Sequence, residues 1–200
     1  MSAPLEAGQP VSSGCRTIDG FVKITDLDSS IVIDLKYATA DNFTHQKVYP
    51  TDIAVLRLKT AQKLVKANGL LKEKGYRIKV WDAYRPVSVQ KIFWNLVPDT
   101  DFVADPSTGG SIHNRGCAVD VTLADRDGRD VEMPSGFDDF TEKAYRSNSP
   151  MSSEAESNLT LLTEAMTASG FMTLDTEWWH FEDVDRDEYE NADVDPSLFQ

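Results

Sequence analysis

The longest regular hydrophobic pattern in the chain lies in residues 52–74 and predicts an amphipathic helix. The apolar positions that recur at helical spacing are Val55, Leu56, Leu58, Ala61, Leu64, Val65 and Leu71. Thr51 is the expected N-cap and Gly75 the expected stop, while Gly69 is a position where the last turn could bend. This segment supplies the largest helical face for a core.

A second helical pattern lies near the C-terminal end, in residues 153–169. Its apolar stripe is Leu159, Leu162, Ala165 and Met166. Ser152 or Ser153 is the expected N-cap, and Gly170 the expected end. A shorter helix is expected over residues 88–96.

Strand patterns alternate with these helices without a strict strand–helix–strand order. Residues 77–81 and 118–123 alternate between two faces, and residues 31–35 and 178–181 are short runs rich in β-branched or aromatic residues. Asp127-Gly128 is typical of a hairpin turn into residues 130–132. The mixture predicts a single α+β domain with a central, mainly antiparallel sheet flanked by helices.

Composition bounds the organisation and the partners. The 200 residues suit one domain, for which we expect a flexible leader over residues 1–20, a folded unit over 21–185 and an acidic tail over 186–200. A net charge of −13 argues against nucleic acid as a partner. No apolar run reaches the length of a membrane span, and the first residues lack the pattern of a signal peptide. We therefore expect a cytoplasmic protein, or an exported one whose signal has been removed; a homo-oligomer is left open.

Two short segments carry the candidate chemistry. His113 and Asp120 lie seven residues apart with Gly116 between them, and Glu177 and His180 follow about sixty residues later. Two imidazoles and one carboxylate form a ligand set that Zn²⁺ takes when a fourth position stays open for water. Glu177 would then be free to handle the proton of that water. The pattern predicts a mononuclear zinc hydrolase.

The spacing imposes a geometric condition on both segments. Residues an odd number apart on a straight strand point to opposite faces. His113 must therefore lie in a loop that turns at Gly116, with Asp120 on the strand that follows, and Glu177 needs a bend to face the same side as His180. The third histidine, His45, is expected at the surface. Cys117 is expected to be a small core residue, which disfavours a cysteine hydrolase.

Arg85 is the remaining candidate. It follows the strand of residues 77–81, and Pro86 disfavours helical geometry at Arg85, so its side chain should leave a strand end or turn. Such a guanidinium either forms a surface salt bridge or faces an oxyanion.

These residues resemble a known family, the VanX-type D-alanyl-D-alanine dipeptidases, which are zinc peptidases related to DD-carboxypeptidases and to the hedgehog fold. The family pattern Ser-x-His-x-x-Gly-x-Ala-x-Asp is met by Ser111, His113, Gly116, Ala118 and Asp120. Glu-x-Trp-His is met by Glu177, Trp179 and His180, and Tyr-Arg-Pro by Tyr84, Arg85 and Pro86. Residues 37–43 and 133–138 also look like this branch, so the resemblance covers roughly residues 20–185.

The resemblance implies a role for each matching residue. His113, Asp120 and His180 would hold one zinc ion, with Glu177 as the general base. Arg85 would stabilise the tetrahedral intermediate. Ser111 and Asp138, together with Tyr37 in the loop 37–43, would contact the substrate, whose free ammonium Ser111 and Asp138 would help to receive. The implied reaction is hydrolysis of D-Ala-D-Ala to two D-Ala.

Two other functions stay open at this point. A related zinc DD-carboxypeptidase or endopeptidase would act on longer cell-wall peptides and would not require a free amino terminus beside the scissile bond. A non-catalytic, zinc-stabilised binding domain would have no need of Glu177. The physiological setting, whether vancomycin resistance, peptidoglycan turnover or use of D-Ala as a nutrient, requires the same chemistry in each case.

Overall fold

The computed structural model describes residues 15–100, 103–148 and 150–200. Residues 1–14 of the expected leader lie outside these ranges. None of the helices within the ranges has the length and apolar character of a membrane span.

Two sheets and four α-helices make up the regular structure of the described residues. The strands are β1 Thr17–Ile18, β2 Phe21–Lys23, β3 Val32–Ile33, β4 Val55–Arg57, β5 Tyr76–Asp82, β6 Ala118–Asp125, β7 Phe171–Leu174 and β8 Glu177–Asp183. The helices are α1 Ile24–Leu27, α2 Leu58–Glu73, α3 Val87–Leu96 and α4 Ser153–Ala168. This is the α+β domain that the pattern predicts.

The larger sheet has the strand order β3-β5-β6-β8-β7. Its β3–β5 pair is parallel and its other pairs are antiparallel, which confirms the mainly antiparallel prediction. Helices α2 and α4 pack against each other and contact this sheet, α2 at β5 and α4 at β6 and β7. Along β6, Val119, Val121 and Leu123 join the main hydrophobic core. Asp120, between two of them, lines the cleft described below.

The start of the long helix is a correction to the sequence-based expectation. Residues 55–57 form β4, which pairs antiparallel with β2, and the helix begins only at Leu58. Alternation along a strand sends Val55 into a small cluster with Phe21, Tyr84 and Phe199, and Leu56 into the main core. Thr51 is therefore not the N-cap. The adjacent side chains of Val55 and Leu56 are buried in two different clusters, on opposite sides of a strand, and not on one face of a helix.

The other elements follow the pattern closely. Helix α4 begins after Ser152, whose side chain accepts a hydrogen bond from the backbone N–H of Ala155. Helix α2 continues through Gly69 without interruption, and Gly75 follows its end with a φ of 89°. The expected strand over residues 130–132 is reduced to one isolated bridge at Asp130. Strands β1, β2 and β7 are not among the strands that the hydrophobic pattern predicts.

The C-terminal segment is bonded to the domain rather than detached from it. The backbone N–H of Ala192 donates to the carbonyl of Asn114, and that of Val194 donates to the hydroxyl of Tyr84, each at 2.8 Å. Phe199, in the 3-10 turn Pro196–Phe199, is 5% exposed. The division of the chain at residues 185 and 186 stays a prediction.

Candidate metal and catalytic site

His113 lies in a short 3-10 turn, Ile112–Arg115, that is closed at both ends. The Ser111 hydroxyl accepts a hydrogen bond from the backbone N–H of His113 at 3.3 Å, and the Asn114 side chain accepts one from the backbone N–H of Ser111 at 2.8 Å. Gly116 ends the turn with a φ of 76°, and a Cβ there would overlap the ring of Phe21. The expected loop, with a glycine that turns the chain towards Asp120, is therefore present.

Asp120 and His180 are brought together by strand pairing. They are directly opposed residues on the neighbouring antiparallel strands β6 and β8. Opposed residues of such a pair project to the same face of the sheet. As a result, Asp120 Oδ1 lies 2.9 Å from His180 Nδ1, although sixty residues separate the two in sequence.

The three predicted ligands form one buried cluster. His113 Nε2 lies 3.3 Å from His180 Nδ1 and 3.4 Å from Asp120 Oδ2. One donor atom from each side chain can be chosen so that all three lie within 4.8 Å of one another. The residues are 3%, 4% and 7% exposed for His113, Asp120 and His180, which excludes bulk water as their main partner.

The outer hydrogen bonds of the two imidazoles fit a metal site. His113 Nδ1 donates to the carbonyl of Ala83 at 2.7 Å, and His180 Nε2 donates to Glu182 Oε1 at 3.2 Å. These assignments leave a lone pair on His113 Nε2 and on His180 Nδ1, the two nitrogens that face each other and Asp120. Two lone pairs and a carboxylate in one buried space repel one another unless a cation lies between them. The donor set therefore fits a divalent metal.

The electrostatics of the cluster favour positive charge beside Asp120. Burial acts to lower the pKa of His180, but its hydrogen bonds to Asp120 and Glu182 outweigh burial and raise the pKa to about 10. Burial acts to raise the pKa of Asp120, yet His113 and His180 hold it well below its usual range. The carboxylate is therefore ionised, as a metal ligand must be.

Glu177 begins β8 and lies beside the cluster. Its Oε2 is 3.9 Å from His180 Nδ1, and its side chain is 43% exposed. Burial raises the pKa of Glu177, and the negative charge of Asp120 adds to this rise. The charge of His180 acts in the opposite direction but does not cancel it. The bend that the spacing requires coincides with a register shift between Thr173 and Leu174 in the paired strand β7. A carboxylate with a raised pKa, open to the cleft, is suited to exchange a proton.

Arg85 lies between β5 and α3, at the strand end that the sequence predicts. Its guanidinium donates to Asp82 Oδ2 at 2.6 Å and to Gln90 Oε1 at 3.0 Å. Among the described residues its buried Nε has no hydrogen-bond partner. Burial acts to lower the pKa of Arg85, but Asp82 outweighs it and raises that pKa well above its usual value. Arg85 is thus a fixed cation in the cleft wall, not a surface salt bridge.

Tyr37 and Asp138 meet beside Arg85, whose guanidinium carbon lies 5.4 Å from the centroid of the Tyr37 ring. The Tyr37 hydroxyl donates to Asp138 Oδ2 at 3.0 Å, joining segments 101 residues apart in sequence. Burial and the charge of Asp120 raise the pKa of Asp138 to about 8, although the bond from Tyr37 and the charge of Arg85 oppose this shift. Asp138 has a φ of 53°, a backbone conformation that Asp and Asn adopt more readily than most residues. A desolvated carboxylate of this kind is suited to bind a cation.

One cleft of about 670 Å³ joins all of these side chains. Its lining includes Tyr37, Arg85, Ser111, His113, Asp120, Asp138, Glu177 and His180. Phe140 and Tyr145 also line it, and both are exposed, at 54% and 43%. Every residue singled out from the sequence for the site therefore faces one space.

The two other residues weighed from the sequence lie elsewhere. His45 is exposed, and Cys117 is fully buried and absent from the metal-ligating cluster of the described residues. Burial raises the pKa of the Cys117 thiol to about 12, which removes it as a nucleophile.

Sequence reasoning missed the residues that hold the site from behind. Glu182 orients His180, while Asp82 and Gln90 orient Arg85. Asp82 is fully buried and also accepts hydrogen bonds from the Tyr49 hydroxyl and the backbone N–H of Ala83. The available signal was Asp82 at the end of the predicted strand of residues 77–81. A carboxylate that is buried there requires hydrogen-bond partners, and Arg85 is three residues away.

Comparison with known proteins gives a consistent result. The profile of the peptidase M15 family described as D-ala-D-ala dipeptidase matches residues 17–195. The D-alanyl-D-alanine dipeptidase of Escherichia coli (strain K12) is 36% identical over 172 residues, covering 86% of each chain. The enzyme of the same name from Enterococcus faecium is 33% identical over 197 residues, covering 88% of this chain and 96% of its own. A solved structure, VanYB in complex with D-alanine-D-alanine, is 16% identical with a TM-score of 0.44, over 70% of this chain and 77% of its own.

Proposed function

Because this chain belongs to the peptidase M15 family of D-Ala-D-Ala dipeptidases, we propose that it hydrolyses the free dipeptide D-Ala-D-Ala to two molecules of D-Ala. The observation that carries the proposal is the convergence of His113, Asp120 and His180 in one buried cluster, with Glu177 beside it in the same cleft. The presence of Glu177 favours a hydrolase over a binding domain whose metal is only structural.

The donor set supports zinc as the metal. His113 would bind through Nε2, His180 through Nδ1 and Asp120 through a carboxylate oxygen, which is the three-ligand pattern of catalytic zinc sites. When bound, zinc supplies a Lewis acid that lowers the pKa of a coordinated water and stabilises negative charge on the carbonyl oxygen. The Ala83 carbonyl and Glu182 keep the imidazoles in the tautomers that this requires.

Glu177 is the proposed general base. Burial raises its pKa, which makes the carboxylate a stronger base towards the proton of the attacking water, and it would return that proton to the departing amine. Its position beside His180 puts it next to the ligands without making it one of them.

Arg85 is the proposed stabiliser of the charge that develops on the carbonyl oxygen. Two of its nitrogens are held by Asp82 and Gln90, so the guanidinium does not reorganise during the reaction. Arg85 lines the cleft, so its fixed positive charge lies where it can stabilise that developing negative charge.

Asp138, Tyr37 and Ser111 are the proposed contacts of the substrate's ammonium end. Burial raises the pKa of Asp138 to about 8, and an ammonium partner would stabilise its ionised form. The hydroxyls of Tyr37 and Ser111 lie in the same cleft. An acylated amino terminus would leave the Asp138 carboxylate without a cationic partner, so this wall favours a free dipeptide.

One experiment tests the function. The protein is purified and its zinc content is measured, and kcat/KM is then determined for D-Ala-D-Ala, N-acetyl-D-Ala-D-Ala and L-Ala-L-Ala. A site built to bond a charged group rejects the analogue that lacks it by about 10⁴-fold. Similar values for the acetylated compound would identify a carboxypeptidase instead. Similar values for the L,L dipeptide would remove only the stereochemical preference.

We also propose a cytoplasmic location. Fractionation of cells that express the protein, with cytoplasmic and exported marker enzymes as references, tests it. Sedimentation of the same sample measures the oligomeric state, which stays open.

A further inference from the structure

Arg146 lies behind the catalytic cleft and holds the hairpin of β7 and β8 from its rear. Its guanidinium donates three hydrogen bonds of 3.0 Å, from Nε to the carbonyl of Leu174, from Nη1 to the hydroxyl of Thr163 and from Nη2 to the carbonyl of His180. Its backbone N–H donates to the carbonyl of Asp175 at 2.9 Å. One side chain thus connects helix α4, the hairpin turn and a predicted metal ligand.

The hairpin is irregular at the point that Arg146 contacts. Phe171, Met172 and Thr173 pair regularly with β8, but after the register shift Leu174 pairs with Glu177. Regular alternation would send Glu177 and His180 to opposite faces, yet both line the cleft. The shape of the irregular turn therefore decides where the Glu177 carboxylate points, and the turn carbonyls of Leu174 and Asp175 are bonded to Arg146.

The bonding of Arg146 is that of a positioning group rather than of an ion pair. Among the described residues no carboxylate oxygen lies within ion-pair distance of its guanidinium, whose hydrogen-bond acceptors are two carbonyls and a hydroxyl. Burial lowers the pKa of Arg146 to about 10, with Asp175 opposing the shift. The guanidinium packs over the ring of Phe181 at 4.5 Å from the centroid. A planar fork with fixed donors is the group that can bond three separate acceptors at once.

We propose that Arg146 is a positioning residue for the reaction, which orients the Glu177 carboxylate through the hairpin turn and the His180 ligand through its backbone carbonyl. The inference deepens the proposed function and rests on it. Arg146 does not line the cleft, so it contacts neither the substrate nor the metal ligands' donor atoms.

The test compares Arg146→Lys with Arg129→Lys, a matched change at an arginine whose side chain is 73% exposed. Lysine keeps the positive charge but replaces a three-way fork by a single ammonium. Because a small misplacement of a catalytic group can cost about 10²-fold, we expect kcat of Arg146→Lys to fall by about 10 to 10²-fold with KM little changed. Arg129→Lys should leave kcat unchanged.

Two further measurements separate positioning from loss of folding. In Arg146→Ala, added guanidinium ion at a non-denaturing concentration should restore part of kcat, and it should restore nothing in Glu177→Gln. The visible absorption of the Co²⁺-loaded protein should differ between Arg146→Lys and wild type, because it reports the geometry of the ligand set without any turnover.

The outcomes are distinguishable. A lower kcat that guanidinium restores, or a changed Co²⁺ spectrum, supports the positioning role. If the wild type does not hydrolyse D-Ala-D-Ala, the proposed function is refuted, and the Co²⁺ spectrum alone then tests the role of Arg146. A folded Arg146→Lys protein with wild-type kcat and a wild-type spectrum would overturn the inference. The inference would also be contradicted if the activity of Arg146→Ala fell only in proportion to its folded fraction and added guanidinium did not restore it. If Arg146→Ala does not fold, the result for Arg146→Lys decides the question.

Discussion

Two parts of the cleft are held together in different ways: a floor formed by Asp120 and His180, and a wall formed by Tyr37 and Asp138. On the floor, Asp120 and His180 are opposed residues of neighbouring strands, so the sheet itself fixes their separation. On the wall, Tyr37 and Asp138 come from non-strand segments 101 residues apart and meet through side-chain hydrogen bonds. Both parts contact the core, because β6 buries apolar side chains on its other face and the ring of Tyr37 packs against Tyr49, Phe93 and Phe137. Only the floor is set by the register of paired strands.

This difference separates two properties of the site. A register of strands cannot change slightly, since a slip of one residue would turn every side chain to the other face. The metal-binding floor is therefore either intact or lost. The contact between Tyr37 and Asp138 depends on side-chain positions, which can shift in small steps, so substrate preference can vary while the metal site remains.

The largest effect should come from breaking the floor. We expect His180→Ala to lose most of its bound zinc and to unfold at a lower temperature, because metal binding adds to the free energy of folding. Since the general base alone contributes about 10²–10⁴-fold, activity should fall by more than about 10⁴-fold when the metal is lost as well. Elemental analysis, thermal unfolding and turnover measure this. His45→Ala, at the exposed histidine, is the control, and full zinc content in His180→Ala would show that the ligand assignment is wrong.

A smaller loss should follow when the chemistry on the floor is removed and the metal is kept. Glu177→Gln keeps the size of the side chain but cannot accept the proton, so kcat should fall by about 10²–10⁴-fold while zinc content stays at the wild-type level. The measurement is kcat beside metal analysis, with Glu188→Gln at an exposed glutamate as the matched control. Near wild-type turnover would remove Glu177 from the mechanism.

The wall should respond through substrate binding. Asp138→Asn keeps a residue that tolerates the φ of 53° but removes the charge, so kcat/KM for D-Ala-D-Ala should fall by about 10²-fold with zinc content unchanged. The ratio of kcat/KM for D-Ala-D-Ala to kcat/KM for N-acetyl-D-Ala-D-Ala should fall at the same time. Asp139→Asn, which changes the adjacent carboxylate, is the control. If kcat/KM falls by the same factor in both variants, the combined negative charge of the wall, and not Asp138 itself, would explain the selectivity.

The smallest effect is expected from the hydrogen bond that joins the wall. Tyr37→Phe removes only the hydroxyl bonded to Asp138, and one such bond contributes about 1 kcal/mol, so we expect a change of about fivefold, mainly in KM. Tyr145→Phe, at a hydroxyl elsewhere in the cleft lining, should change little. A loss of zinc in Tyr37→Phe would contradict the separation of wall and floor.

The local elements with strong periodicity were predicted well. The stripe of Leu159, Leu162, Ala165 and Met166 gave a helix with the right cap, because the pattern and the N-terminal serine act within a few residues of each other. The prediction failed at Val55 and Leu56, whose spacing fits a helix face. Their pairing with β2 and their burial in two separate clusters depend on contacts that local spacing does not encode.

The candidate site divides in the same way. The identities of His113, Asp120, Glu177 and His180, and the need for a turn at Gly116, were determined by the sequence, because the ligand chemistry and the strand parity are properties of residue type and spacing. Their convergence was decided by the tertiary structure, since only the β6–β8 register opposes Asp120 to His180. The hydrogen bonds that Glu182, Asp82 and Arg146 make to the site were likewise decided there. A hydrogen bond between residues far apart in the chain exists only once the backbone has brought their atoms within about 3 Å.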